Sequence, residues 1–431
     1  MKKLTTSILL IIVLVALCAG GFLLFRDMRP PQLAVGPDQE FLPAGVPLRV
    51  AAEDLGSGLR HVQVSLVQNG KETPVLDEKF EDTPTTFTRE IEIPPKKLAD
   101  GPFEVVIQAR DASLYPFGSA GAATFKRTYT LDTKAPIINV QGNAHNLNQG
   151  GSGMVVYRLT EAAAKSGVQV GDYFFPGYPQ PDGRYFCLFA MPYQISPAQF
   201  NPVLTATDKA GNERKQTFPF HANARNFRHD RINIPDSFLQ RKMIQYEDDY
   251  PGLSPLEIYI KVNTERRVKD RARLLDIGRQ TSPTPLWSGD FLRLPNAAPR
   301  AGFGDERDYF HNGDKIDHET HLGMDLASIR NADVPAANAG TVVFADFYGI
   351  YGNCVIVDHG MGLQTLYAHL SQFLVAVGDT VTRGQTIAKT GETGLAGGDH
   401  LHFGVIVSGV PVNPVEWWDP TWIKNNITSK M

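Results

Sequence analysis

Residues 397–405, Gly-Gly-Asp-His-Leu-His-Phe-Gly-Val, set two histidines either side of a leucine at the entry to an apolar run. Side chains two apart on a strand point the same way, so His400 and His402 share one face while Leu401 and Phe403 turn to the other. Two imidazoles placed like this can meet one ion or one substrate. Alone the pattern is weak, because a lone His-x-His is as often structural as functional. Other groups add to it. His321 and Asp325 stand four apart in His-Leu-Gly-Met-Asp, and His369 lies in another apolar run, Leu-Tyr-Ala-His-Leu-Ser. Histidines and an aspartate in a β domain suit a catalytic zinc site, where three protein ligands leave a fourth position for water. Zinc there lowers the pKa of water toward about 7 and polarises a scissile carbonyl. Neighbouring imidazoles can then handle the proton and the developing oxyanion.

Longer stretches carry a resemblance. "HLGMDLAS", "PAANAGTVVFA", "GNCVIVDHGMGLQTLYAHLS", "VAVGDTVTRGQTIAKTGETG" and "DHLHFGVIVSGVPVNP" resemble, in order and spacing, the lysostaphin/LytM-type zinc metalloendopeptidases that cut peptide cross-bridges in peptidoglycan. The resemblance covers residues 321–414. Position by position it implies one Zn2+ held by His321, Asp325 and His402. It makes His369 and His400 the pair that activates the water and stabilises the tetrahedral intermediate. Two departures are visible: Gly404 stands where a glutamate is common, and "GLAGGDH" replaces the usual threonine, glycine, proline lead-in. Neither removes a ligand, so they bear on substrate fit. The expected activity is a zinc-dependent peptidoglycan endopeptidase. The rival reading is a catalytically silent wall-binding scaffold or an activator of another cell-wall hydrolase; family members of that kind lose ligands, whereas this chain keeps all five residues. A third reading makes the chain chiefly structural.

Other histidines crowd the same region. "HETH" at 318–321 is not the helical His-Glu-x-x-His motif, since its histidines are three apart and no amphipathic helix surrounds them. His318 reads as a loop residue and His359 as the end of a strand turning on glycines. Tyr309, Phe310, Tyr348 and Tyr351 are candidates for the wall of a cleft, although aromatics in a small β domain are more often core.

The elements that must position these groups belong to a chain of 431 residues, long enough for two to four domains. With 42 Lys and Arg against 46 Asp and Glu it lacks the basic excess that a phosphate backbone demands, so no nucleic-acid partner is expected. Lys2 and Lys3 precede an apolar run from Ile8 to Phe25, which reads as an uncleaved, single-pass anchor in the inner (cytoplasmic) membrane with the bulk of the chain on its periplasmic side. A cleaved signal peptide, cut near Ala16 and Cys18, is the rival. Cys187 and Cys354 lie in strand-like runs and read as buried free thiols, without excluding one bridge; a thiolate zinc cluster is excluded.

The fold class expected is mainly β: a membrane helix within 1–28, two immunoglobulin-like sandwich modules at 30–131 and 132–222, a helical and irregular linker at 223–300, and an antiparallel metallopeptidase domain at 301–431. The modules rest on a divergent repeat. "DMRPPQLAV" from Asp27 and "DTKAPIINV" from Asp132 run alike, strands alternate with period two, and Ala-x-Asp closes strands at Asp54, Asp111 and Asp208. "QNGK" signals a hairpin. Ser254, Pro255 and Glu257 form a capping-box pattern, followed by Val268, Ala272 and Leu275 at helical spacing, a charged face read as solvated, and Gly278 as a stop. The partners expected are peptidoglycan, the membrane through the N-terminal helix, and an envelope protein through the modules. Residues 223–320 are further expected to fold across the cleft and supply a fourth ligand.

Overall fold

Period-two alternation turns the first repeat into strands. In Leu48–Glu53 every second side chain is buried, and Leu59–Gln68 alternates in the same way. The computed structural model describes residues 2–25, 27–94, 97–113, 121–142 and 144–431. They fall into two compact units, 1–135 with 207–213, and 136–206 with 214–431. In the first, a three-stranded sheet (Gln32–Gly36, Leu48–Glu53, Thr86–Ile91) and a five-stranded sheet (Phe41–Leu42, Ala122–Leu131, Gly101–Asp111, Leu59–Gln68, Lys71–Lys79) share a core of Val50, Val64, Leu66, Phe103, Ile107 and Tyr129. The "QNGK" hairpin forms as expected. Asn69 and Gly70 both take positive φ, 51° and 76°, and Gln68 pairs with Lys71.

The expected membrane helix is corrected. A helix does occupy Lys2–Phe25, but among the described residues no helix is long and apolar enough to cross a membrane. Its described side chains, 7–22, cover roughly 24 Å at 1.5 Å per residue, short of a hydrocarbon core of about 30 Å. The side chains of Lys2, Lys3 and residues 23–25 lie outside the described residues. A single-pass inner-membrane location and partnership therefore lose their support.

Residues 138–217, all but 207–213 of them in the second unit, form two four-stranded sheets around Met154, Tyr157, Val168, Phe175 and Leu188. This core is continuous with that of the C-terminal domain, reaching Trp417 and Ile427. There the main sheet runs Ala298–Ala301, Met324–Ala327, Leu401–Val407, Leu363–Ala368, Asn353–Asp358, Gly340–Phe347 and Thr380–Val381 in spatial order. Leu401–Val407 is buried on both faces. Cys187 and Cys354 are free and buried.

Side chains from Ile234 to Ile277, with Tyr309, pack on one face of that sheet, against Phe344, Ile356, Leu366 and Ile406. The capping box forms: Ser254 accepts from the Glu257 N–H, and the Glu257 carboxylate accepts from the Ser254 N–H. Three strands, His229–Asn233, Glu306–His311 and Asp314–Thr320, make a separate sheet. The helix Arg267–Ile277 turns a different side inward from the one expected. Val268 is exposed while Asp270, Leu274 and Ile277 are buried. The reason is local. The Asp270 carboxylate accepts from the Ile350 N–H (3.1 Å) and from Arg266 (3.3 Å), and Gly349, at φ +48°, leaves the room that this carboxylate fills.

Candidate metal centre

Backbone pairing brings three candidate ligands together. Met324–Ala327 runs antiparallel to Leu401–Val407 with Asp325 opposite His402, and Ala368 flanks His402 on the other side. His321 precedes the first of these strands. Its Nε2 lies 2.9 Å from Asp325 Oδ1 and 2.9 Å from His402 Nδ1, and that nitrogen lies 3.0 Å from the same oxygen. Two nitrogens and one carboxylate oxygen thus face each other across a triangle with edges near 3 Å. Ligands held at 2.0–2.2 Å around one tetrahedral zinc stand about as far apart.

Hydrogen bonds to backbone carbonyls orient the rings. His321 donates from Nδ1 to Gly302 O (2.8 Å), His369 from Nδ1 to Thr393 O (2.9 Å), and His400 from Nδ1 to Gly398 O (2.8 Å). Each bond commits Nδ1 as donor, so the neutral ring offers its lone pair at Nε2. His402 is reversed. Its Nδ1 sits in the triangle, and its Nε2 is buried and has no hydrogen-bond partner among the described residues. That ring rests on Gly323, where a Cβ would lie 2.5 Å from Nε2 and 2.7 Å from Phe403 O.

His369 and His400 border the triangle, ring centroids 4.8 Å apart, with His369 5.8 Å from His402. His369 sits at φ +63°, a region rarely adopted by a non-glycine residue. Bonds from its N–H to Tyr351 O and from Leu370 N–H to Asn353 O hold it there. Burial, aided by His400 and His402, depresses the His369 pKa well below its usual value. Burial also pushes His402 down to about 4, against the pull of Asp325. Asp325 is held well below the usual carboxylate range: burial opposes its charge, but His321 and bonds from His321, His400 and His402 outweigh it. For His400 burial likewise opposes the charged form, yet the Asp325 carboxylate raises its pKa on balance.

These donors fit zinc. The set is two imidazoles and one carboxylate, the orphaned Nε2 belongs to a ring whose other nitrogen points into the triangle, and the remaining side opens on a cavity of about 440 Å³. The five residues singled out in the sequence all line that cavity.

Residues 319–414 match the sequence profile of peptidase family M23. The C-terminal domain is an M23 peptidase domain. Over 101 residues the chain is 43% identical to the DD-carboxypeptidase/endopeptidase Mpg of Neisseria meningitidis, covering 23% of each protein. It is 41% identical over 96 residues to the peptidoglycan DD-endopeptidase ShyA of Vibrio cholerae, 22% of each. It is also 38% identical over 95 residues to the murein hydrolase activator EnvC of Escherichia coli, 22% of this chain and 23% of that one. The chain thus spans less than a quarter of the length of these relatives.

The M23 domain receives one contact that no sequence spacing announced. Arg307, from the strand Glu306–His311, donates from Nη2 to Asp325 Oδ2 (3.2 Å), so one carboxylate oxygen faces the histidines and the other an arginine. Nothing local marks Arg307, because it reaches the M23 sheet from a separate sheet. Among the described residues no His, Cys, Asp or Glu of residues 223–320 joins His321, Asp325 and His402 as the expected fourth ligand; that segment brings Arg307 to Asp325. Arg267 and Arg271, read as solvated, line the cavity beside Arg228 and Arg300, with Arg271 donating to Glu319 (2.6 Å). Of the aromatics, Tyr309 and Tyr351 reach the cavity, Tyr348 is core and Phe310 lies under Arg231. His318 lies on a strand rather than a loop, paired with Asp308 (2.7 Å). His359 is buried, bonded to Ala339 O and Thr365.

Proposed function

We propose that the protein is a zinc-dependent endopeptidase that hydrolyses amide bonds in the peptide part of peptidoglycan. One observation carries the reading: a His-Asp-His triangle opening on a cavity where two further imidazoles present Nε2. His321, Asp325 and His402 would hold the ion. When bound, zinc would polarise the scissile carbonyl and acidify water. His369, kept neutral, is suited to take a proton at Nε2. His400, whose charged form Asp325 favours, is suited to donate a hydrogen bond from Nε2 to the developing oxyanion. Neighbouring groups with pKa values pushed apart divide acid and base work in this way. Arginines along the cavity match the free carboxylates of wall peptides.

The likeness to a hydrolase activator supports a second reading, a scaffold that binds wall material without cutting it. Zinc content and muropeptide release by the purified protein separate the two, measured beside His400→Ala. The endopeptidase predicts about one zinc in both proteins and cleavage reduced by roughly 10²–10⁴ in the variant. A protein that cannot be loaded with zinc and releases nothing would leave the scaffold.

A further inference from the structure

The peptidase chemistry leaves the repeat motif unused: an aspartate at its head and Ala-x-Asp at strand ends. In the first unit three of these residues converge. One carboxylate oxygen from each of Asp27, Asp54 and Asp111 lies within 4.8 Å of the others. All three side chains are buried, at 8%, 5% and 8% exposure. Asp54 follows the strand Leu48–Glu53 of one sheet, Asp111 ends Gly101–Asp111 of the other, and Asp27 stands ahead of Gln32–Gly36.

Their backbone bonds do not neutralise them. Asp27 accepts from the N–H groups of Arg29 (3.2 Å) and Ser57 (2.8 Å). Asp54 accepts from Gly56, Ser57 and Gly58. Asp111 Oδ1 accepts from Ser113 N–H (3.0 Å), while its Oδ2 is buried and has no hydrogen-bond partner among the described residues. Ion pairs among the described residues of this unit engage other carboxylates, those of Asp38, Asp77, Glu78, Asp100 and Glu104. Burial first, then the charges of Asp54 and Asp27, push the Asp111 pKa up, whereas for Asp27 burial is outweighed by bonds from Ser57 and Arg29, which hold its pKa down. Two glycines leave space around the cluster: a Cβ on Gly56 would lie 2.3 Å from the Asp27 carboxyl carbon, and one on Gly121 2.6 Å from Asp111 Oδ1.

An isolated buried carboxylate is costly, and three together repel one another unless something positive lies among them. Calcium takes oxygen ligands at about 2.3–2.6 Å, so oxygens sharing one ion stand at most roughly 5 Å apart. The cluster meets that limit. It offers no nitrogen or sulfur, which disfavours zinc and other softer metals. We propose that Asp27, Asp54 and Asp111 hold one calcium ion, which joins the incoming chain to strand ends of both sheets.

The test uses the full chain freed of calcium with a chelator, titrated with calcium chloride by calorimetry and followed by thermal unfolding. The wild type should take up one equivalent, with affinity at or tighter than the roughly 10⁻⁴–10⁻³ M of extracellular calcium modules, and melt higher when loaded. Asp111→Asn should lose both the uptake and the calcium-dependent shift, keeping its zinc and muropeptide release. Asp27→Asn should do the same, and Asp77→Asn, at a surface ion pair, should bind as wild type. Absence of saturable uptake up to about 10 mM calcium, beyond that affinity range, would overturn the assignment. So would undiminished uptake by Asp111→Asn.

Discussion

The nitrogen each histidine turns toward the cavity is chosen by the group behind it. Three rings are tied by Nδ1 to a backbone carbonyl, and the fourth is set by a glycine beneath it. Gly323→Ala should therefore disturb the centre without touching a ligand. Its Cβ would meet the His402 ring and a strand carbonyl, neither with room to yield, and a fall of about 10–100-fold in zinc affinity is expected at unchanged circular dichroism. Wild-type zinc binding in that variant would show that the ring has freedom the structure does not suggest. At the cavity wall Arg300 is exposed, and the proposed activity would give it a substrate carboxylate to meet. Arg300→Ala should raise KM about tenfold for wall peptides with free carboxylates and leave kcat alone, the pattern of a uniform binding contact. An unchanged KM would remove Arg300 from recognition. At this scale the sequence was informative for His321, Asp325, His369, His400 and His402, because the longer matching stretches cover all five and strand alternation sets His400 and His402 on one face. It was silent on Arg307 and on the carbonyls of Gly302 and Thr393, whose roles arise from chain segments 18 or more residues apart, and on the carbonyl of Gly398, two residues from His400, whose direction depends on the turn between them.

Elements were legible where the cause is local. Alternating burial, the Asn-Gly turn and the Ser254–Glu257 capping box depend on neighbours a few residues away, and all formed. The inward face of Arg267–Ile277 was not legible, because Asp270 is buried by a bond to Ile350 that helical periodicity cannot express. Glu416 is a second buried acid of this kind. On the short helix Pro414–Trp418, it accepts from Ser152 N–H (3.0 Å) and Asn148 Nδ2 (3.3 Å), and burial raises its pKa to about 7. The folded chain then keeps this proton after the unfolded chain, at 4.5, has released it. Its stabilising contribution is complete below pH 4.5 and is lost as pH rises through 7, amounting to about 3 kcal/mol at 1.36 kcal/mol per unit. In Glu416→Gln that part of the slope should vanish from denaturant titrations between pH 4 and 8. An identical slope in the two proteins would mean that the acid is solvated.

For the whole molecule, the boundary drawn from sequence between the second module and the C-terminal domain does not interrupt the core. Trp417 is fully buried, edge-on to Trp287, Phe291 and Trp422, within the same apolar cluster as Met154 and Leu188. Trp417→Ala should cost about 3–5 kcal/mol and lower the module and the M23 domain in one transition. Two resolved transitions, one unmoved, would show that they melt separately. The N-terminal helix illustrates the opposite limit: composition gave the helix, but the described apolar stretch falls short of a membrane's thickness. A last consequence follows from the tie on His321. Its carbonyl belongs to Gly302, and the strand pairing with Met324–Ala327 is Ala298–Ala301; both lie ahead of residues 319–414. A recombinant fragment trimmed to the family boundaries would carry every ligand yet lack the scaffold that aims one and flanks another. It should hold zinc about 10–100-fold more weakly than a fragment beginning before Ala298, so the useful unit for engineering is larger than the recognisable one.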